Sequence, residues 1–413
     1  MANTIRSHAF FVGNLQDKVA LTNIDTSVWE AVIVDESTYS FLCSYFHSSH
    51  VDAMVEAKGQ NRPKFLKDVT HYRLRIDKLI PFSVFNQAKD RLDVLDNYNL
   101  NIKGLHIYCF PLDMTLFAIE IDDSGSDFND LTLAHALIRE LPSRWTQFNE
   151  EFKVVLDPIT KLFPERKESV LALSGNKLKL FQIMLVDQAN WTDEHLYEMG
   201  TCSPVDIVNT DHYLSPSKEY YESIMKENTI APFKTWKSLS LMDSFTALIK
   251  CNESFSAEEW ENDKTRWIDS YYRMIFLRVV IQKTFLSTQN VLYRLNRSNA
   301  NIIRDLARME QYYFYDNISY NFLPDMLNKH MEKGMAINDE KTELSSQIKE
   351  RDSKNTNTLT GILSVFAIFS ICYDIYTIVR IITHHDSALL LAILSLFATL
   401  SIVIIIVRLI RRN

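Results

Sequence analysis

Apolar and polar positions follow three registers along this chain, and the shortest comes first. Ala9 to Val12 and Ala31 to Val34 are brief apolar runs bounded by polar residues, and Tyr72 to Ile76 alternates apolar with basic side chains, as a half-buried strand does. Leu105 to Phe110 and Thr115 to Ile121 are two more strand-like runs, and Pro111-Leu112-Asp113 between them predicts a hairpin. Acidic residues from Asp122 to Asp130 read as a solvated turn, since the ligand register and closing glutamate of a calcium loop are missing. Leu131 to Leu141 predicts a helix that breaks at Pro142. Ser143 is then the expected N-cap of a second helix, reaching Leu156 before Pro158. Leu180 to Val186 predicts a buried strand, and Trp191 to Lys237, with prolines at 204, 216 and 232, predicts loop.

From Ala257 the period lengthens to that of a helix. Trp260, Trp267, Tyr271 and Ile275 fall on one stripe that continues through Val279 and Phe285 to Leu295. The segment YYRMIFLRVVIQKTFL within it is apolar enough to resemble a membrane span. Arg273, Arg278 and Lys283 would each cost roughly 2.5–3.5 kcal/mol at a span's centre, so the expectation is a core helix of a water-soluble domain. Another helix is predicted from Asn299 to Tyr315. Beyond Met326, Ile337, Leu344, Ile348, Asn355 and Leu359 recur at mostly heptad-like spacing among charged neighbours. That predicts an exposed stalk helix, continuing unbroken into the apolar run from Leu359 and packed on copies of itself, with Gly334 its weak point.

The third register is continuous apolarity. Leu359 to Val379 and Ala388 to Leu409 are each about 20 residues, the length a helix needs to cross a hydrocarbon core. Only Arg380 to Ser387 separates them, which predicts a helical hairpin through a membrane. Lys349, Arg351 and Lys354 precede the first run and Arg408, Arg411 and Arg412 close the second, so both ends are expected in the cytoplasm. Met1 to Leu15 lacks the apolar core of a signal peptide. The organisation expected is a cytosolic α/β sensor domain over 1–250, a helical region and stalk over 251–358, and a transmembrane hairpin with a basic tail over 359–413.

Composition narrows the function. A net charge of −8 argues against direct nucleic-acid binding. Five scattered cysteines without CxxC spacing read as reduced thiols. With 8 glycines and neither GxxxxGK[ST] nor GxGxxG, glycine-rich phosphate loops are excluded. No Ser/His/Asp, Cys/His or metal cluster with telling spacing occurs, so neither an enzyme nor a metal centre is expected. His384-His385 reads as a solvated pair in the outer turn.

The two apolar runs differ. The second is almost purely aliphatic, whereas the first carries Thr356, Thr360, Leu363, Ala367, Ser370, Asp374 and Thr377 at steps of three and four, on one helix face. An intramembrane carboxylate is a functional hypothesis by default, and around a symmetric oligomer Asp374 would form a ring of negative charge. The plainer alternative has Asp374 snorkelling outward or pairing with Arg380. Two helices cannot enclose a pore alone, so conduction would require a homo-oligomer.

A large cytosolic α/β domain, a stalk helix leading into the first span, a short outer loop, a second span and a basic C-terminus resemble the CorA family of magnesium channels. Tyr376 stands where that family has the tyrosine of its Tyr-Gly-Met-Asn motif, but Thr377-Ile378-Val379 replace Gly-Met-Asn. The resemblance implies a pentameric funnel in a bacterial inner (plasma) membrane, with the first span lining the pore. The missing asparagine argues against magnesium selection at the pore mouth. The large N-terminal part is similar to divergent CorA-like effectors encoded beside type III CRISPR systems, which implies gating by an adenine-containing nucleotide second messenger in antiviral defence. A divalent-cation (magnesium or cobalt) transporter of housekeeping type is the alternative, and a non-conducting membrane scaffold is a third reading. No covalently bound cofactor is expected. For a nucleotide, the expected contacts are Arg139, Arg144 and Trp145 around the helix start at Ser143, and Asp211 and His212 in the aromatic loop region.

Overall fold

The computed structural model describes residues 4–15, 24–84, 98–162, 173–187, 191–203, 206–211, 215–253 and 255–383. The chain divides into two compact units, Met1–Glu340 and Lys341–Asn413. The first is built on a mixed sheet of strands β1 (Thr4–Leu15), β2 (Glu30–Ala31), β3 (Thr70–Phe82), β4 (Tyr98–Phe110), β5 (Met114–Asp123), β6 (Leu173–Val186), β7 (Thr229–Phe233), β8 (Trp236–Leu241) and β9 (Ser244–Lys250). Their spatial order is β2-β3-β4-β5-β1-β6-β9-β8-β7. Every neighbouring pair is antiparallel except β6 and β9. The β4–β5 hairpin forms where alternation predicts it, and its turn places Leu112 and Asp113 in the left-handed region at φ 62° and 60°.

One face of this sheet is apolar. Ala9, Phe11, Leu105, Ile107, Ile119, Ile121, Leu178 and Leu180 point the same way by strand alternation, and form one cluster with residues of α3 (Phe128–Arg139), α4 (Leu141–Arg144) and α5 (Glu150–Thr160). α6 (Asp193–Thr201) and α7 (Lys218–Asn228) extend the cover over β8 and β9, through Leu196, Met199, Met225 and Leu239. The opposite face meets one continuous helical run: α8 (Ala257–Asp263), a π-helical segment (Lys264–Tyr272) and α9 (Arg273–Arg294). Ser256 starts this run with a capping box to Glu259. α1 (Glu36–Tyr45), α2 (Ser48–Met54), α10 (Asn299–Tyr312) and α11 (Phe322–Gly334) complete the layer.

α9 contains the segment that resembles a span, and it is a core helix as its cations predict. Arg278 is fully buried, donating to Asn328 Oδ1 at 2.7 Å, Glu332 Oε1 at 2.6 Å and the Tyr315 carbonyl at 2.8 Å.

Four local expectations are corrected. Ser143 caps no helix, because Pro142 falls in the first turn of the short α4, which ends at Arg144. The expected loop from Trp191 to Lys237 instead holds α6, α7 and β7, with side-chain caps from Thr192 and Ser217. Asp122 is no solvated turn residue, since it closes β5 against His8 and Lys264. The stalk does run unbroken into the apolar run from Leu359, as α12 (Ile337–Thr383), but it starts later than Met326: α11 ends at Gly334, and Ala336 at φ 54° separates the two helices. Gly334 is required there because a Cβ would sit 2.6 Å from the Ser240 carbonyl oxygen.

The second unit is described through α12, whose 47 residues span roughly 70 Å at 1.5 Å per residue. Ile337, Leu344 and Ile348, the early heptad-like positions of α12, are buried. The second apolar run, Ala388 to Leu409, lies outside the described residues.

Candidate functional site

All seven stripe positions lie on α12. Taking 100° per residue, Thr356, Thr360, Leu363, Ala367, Ser370, Asp374 and Thr377 fall within an arc of about 100°. Thr377 donates its hydroxyl to the Tyr373 carbonyl at 2.8 Å, and Ser364 likewise bonds the Thr360 carbonyl at 2.8 Å, so these hydroxyls cost the helix no unpaired donor. The rest of the circumference is apolar and bare: Leu359, Ile362, Phe366, Phe369, Ile371 and Ile375 are all exposed, on several sides of the helix. A helix apolar all round is either buried in protein or in lipid. Here only 6% of the most apolar window within Ile337–Thr377 is buried, and among the described residues this is the one helix long and apolar enough to cross a membrane.

The polar face of the sheet is the second feature, and no sequence motif marks it. His8 on β1, His71 and Arg73 on β3, His106 and Tyr108 on β4, and Glu120 and Asp122 on β5 share the face that meets the π-helical segment. Glu120 accepts from Arg73 Nη2 at 2.8 Å and from His106 Nε2 at 3.0 Å, while Arg273 Nη1 lies 3.5 Å from its other oxygen. His106 Nδ1 lies 2.9 Å from His71 Nε2. His8 Nδ1 is 2.7 Å from Asp122 Oδ1, and its Nε2 is 3.4 Å from Asp269 Oδ1. Burial pushes the Glu120 carboxyl up, but the His106 hydrogen bond and the Arg273 charge outweigh it and hold the group well below the usual carboxylate range. Burial drives His106 down to about 4, with Glu120 opposing only part of that shift. His71 is lowered by burial, then by His106 and Arg273.

His8, Glu120 and Asp269 bring ligand atoms within 4.8 Å of one another, a set that could hold a metal ion. The geometry assigns that place to Arg273, whose Nη1 is 3.5 Å from Glu120 and 3.8 Å from Asp269. A divalent ion would have to displace or repel that guanidinium. The cluster is an ion-pair network with an arginine as its resident cation.

Of the residues expected to hold a nucleotide, Arg139, Arg144 and Trp145 have their own partners among the described residues. Arg139 is buried at the end of α3, 3.4 Å from Asp243 and 3.4 Å from Cys202 Sγ. Arg144 pairs with Glu140 at 2.5 Å, and Trp145 packs on the apolar cluster. The helix dipole that was to join them does not exist, because α4 ends where a helix was expected to begin. Asp211 is exposed beyond α6, and His212 lies outside the described residues. Comparisons with protein-family models, curated proteins and solved structures return no match to this chain.

Proposed function

We propose that the protein is a homo-oligomeric membrane ion channel of CorA-like plan. In this reading α12 is the pore-lining first span, residues 388–409 form a second span outside it, and the sheet domain is a cytosolic ligand sensor. The observation that carries this reading is α12: an unbroken 47-residue helix whose far half is bare, apolar on several sides, and marked by one stripe of small and hydroxylated residues. Bare apolar surface of that kind has lipid as its natural solvent, and the stripe has water or ions as its natural neighbour. Several copies are needed to surround a pore, five if the CorA plan holds, and the basic residues flanking the two spans put both termini in the cytoplasm. The ligand is a nucleotide second messenger on the resemblance to CRISPR-associated effectors, and it opens the pore only as far as it binds the open state more tightly.

Ion flux into proteoliposomes holding the full chain tests this. The expected result is flux that depends on an adenine nucleotide and whose selectivity changes in Asp374→Asn. Steady magnesium flux that closes as internal magnesium rises would favour the housekeeping transporter. Silence under every condition would overturn conduction altogether.

A further inference from the structure

A groove of about 490 Å³ opens between the start of the sheet and the second half of α9, lined by Gly13 and Asn14 of β1, Lys177 and Lys179 of β6, and Lys283 and Thr284 of α9. The exposed hydroxyls of Ser287 and Thr288 lie along its wall. A bulge shapes it. β1 and β6 pair from Thr4 to Val12, but Val12 faces Lys179 while Asn14 already faces Ser174, so residues 175–178 loop out of register and carry Lys177 with them.

Among the described residues the charged side chains lining the groove are all lysines. Lys177 is 3.6 Å from Glu140, a loose and exposed pair. Lys179 makes no ion pair among the described residues, and burial together with the nearby Lys283 charge presses it down to about 8, against weaker pulls from Asp243 and Glu340. Lys179, an ammonium near the Lys283 charge in a half-buried cleft, is unfavourable unless an anion joins it. Lys283 reaches the other way: its Nζ donates to the Met335 carbonyl at 2.8 Å and to Glu340 Oε1 at 2.5 Å. Met335 ends α11 and Glu340 lies in the first turn of α12. One buried lysine therefore borders the groove at one side and ties down the joint between α11 and α12 at the other.

We propose that this groove binds the phosphate groups of a small polyanion, a nucleotide or a free polyphosphate, and that the anion draws Lys283 away from Glu340. Among the described residues no aromatic side chain lines the groove, so recognition is assigned to phosphate and not to stacking of a base. Lys179 and Lys177 supply charge, Thr284, Ser287 and Thr288 supply hydroxyl donors, and Lys283 exchanges one oxyanion for another. Losing its partner frees Glu340 and loosens the first turn of α12. The last step, from that joint to a pore, rests on the channel reading; binding and loosening do not.

The experiment is calorimetric titration of the full-length protein in detergent with sodium tripolyphosphate and with ATP, paired with hydrogen exchange of the amides over 337–345. Tripolyphosphate should bind saturably, weaken with added salt and compete with ATP. Lys179→Gln should weaken it about tenfold, the scale of one charge-assisted hydrogen bond. Glu340→Gln removes the competitor, so it should bind tripolyphosphate more tightly and should exchange fast at 337–345 without ligand. In the unmodified protein, tripolyphosphate should speed the same amides. Equal binding by Lys179→Gln, or ATP binding that tripolyphosphate does not displace, would overturn the site; unchanged exchange on binding would overturn the coupling. A protein that binds here but passes no ions keeps this inference and loses the channel, whereas nucleotide-gated flux indifferent to Lys179 does the reverse.

Discussion

α9 and α12 both carry long, mainly apolar stretches, and they treat charge in opposite ways. In α9 the three cations within the apolar stretch have partners: Arg273 sits by Glu120 and Asp269, Arg278 bonds Glu332, Asn328 and the Tyr315 carbonyl, and Lys283 bonds Glu340 and the Met335 carbonyl. The helix is buried from Met274 to Leu286, with partners supplied by strands and helices distant in sequence. The apolar part of α12 exposes its side chains, and from Leu359 to Val379 the single charged residue is Asp374. On the channel reading proposed above, what differs is the solvent that each helix is built for. A core can neutralise a charge with residues from elsewhere in the chain, whereas lipid offers none, so a span must be written without them.

The largest test of that contrast is Arg278→Ala. It removes the guanidinium from a fully buried site, leaves Asn328 Oδ1 and the Tyr315 carbonyl without that donor, and leaves Glu332 with Gln282 but without its cation. Breaking a buried pair by deleting one member costs about 3–5 kcal/mol, and the expected result is a loss of that size in chemical unfolding. A loss near that of a surface substitution would mean the network does not hold α9 in the core.

The mirror experiment places a cation in α12. Phe366 is 66% exposed in the middle of the apolar stretch, so in water Phe366→Lys would be harmless or solubilising. In a bilayer it should cost roughly 2.5–3.5 kcal/mol of insertion. In a chain cut before residue 388, so that no second span anchors it, carbonate extraction of membranes should then release a large share of the variant and little of the parent. Equal retention would break the reading of α12 as a span.

This contrast also marks what the chain discloses locally and what it hides. The character of α9 was legible because three cations in an apolar stretch carry a cost that only a core can relieve, and the β4–β5 hairpin was legible because both strands and their turn lie in one short segment. The polar face of the sheet was not, because β1, β3, β4, β5 and the π-helical segment each contribute one or two residues, and no single strand looks unusual. His8 next to Phe10, or His106 next to Tyr108, reads as ordinary alternation until the sheet order is known. In the sequence Lys283 reads only as a charge against membrane insertion; its second role, at the joint of α11 and α12, depends on a contact 57 residues away. The break at Ala336 was invisible for another reason, since alanine is the best helix former and carries no mark of a left-handed conformation.

The smallest effect expected is also the most direct probe of how Arg273 is held. In the chain from His71 to His106 to Glu120, Glu120 accepts from His106 Nε2, so His106 Nδ1 is the acceptor for His71 Nε2–H, and both rings are neutral. Protonating His106 would set two N–H groups against each other. Because burial lowers its pKa to about 4 in the native state against about 6.5 unfolded, the unfolded chain binds more protons between those values, and stability falls as pH drops from 6.5. At pH 5.5 one such histidine costs about 1.4 kcal/mol, from RT ln(1 + 10). The depressed carboxylates Glu120 and Asp122 act with the same sign, but only below about pH 4.3, outside this window. Unfolding free energies at pH 7.5 and 5.5 should therefore differ by about 1.4 kcal/mol less in His106→Asn than in the parent, because asparagine can still donate to Glu120 and does not titrate. If His106 were instead a charged partner of Glu120, its native pKa would lie above 6.5. The parent would then gain stability from it on acidification, and the difference between the two proteins would change sign.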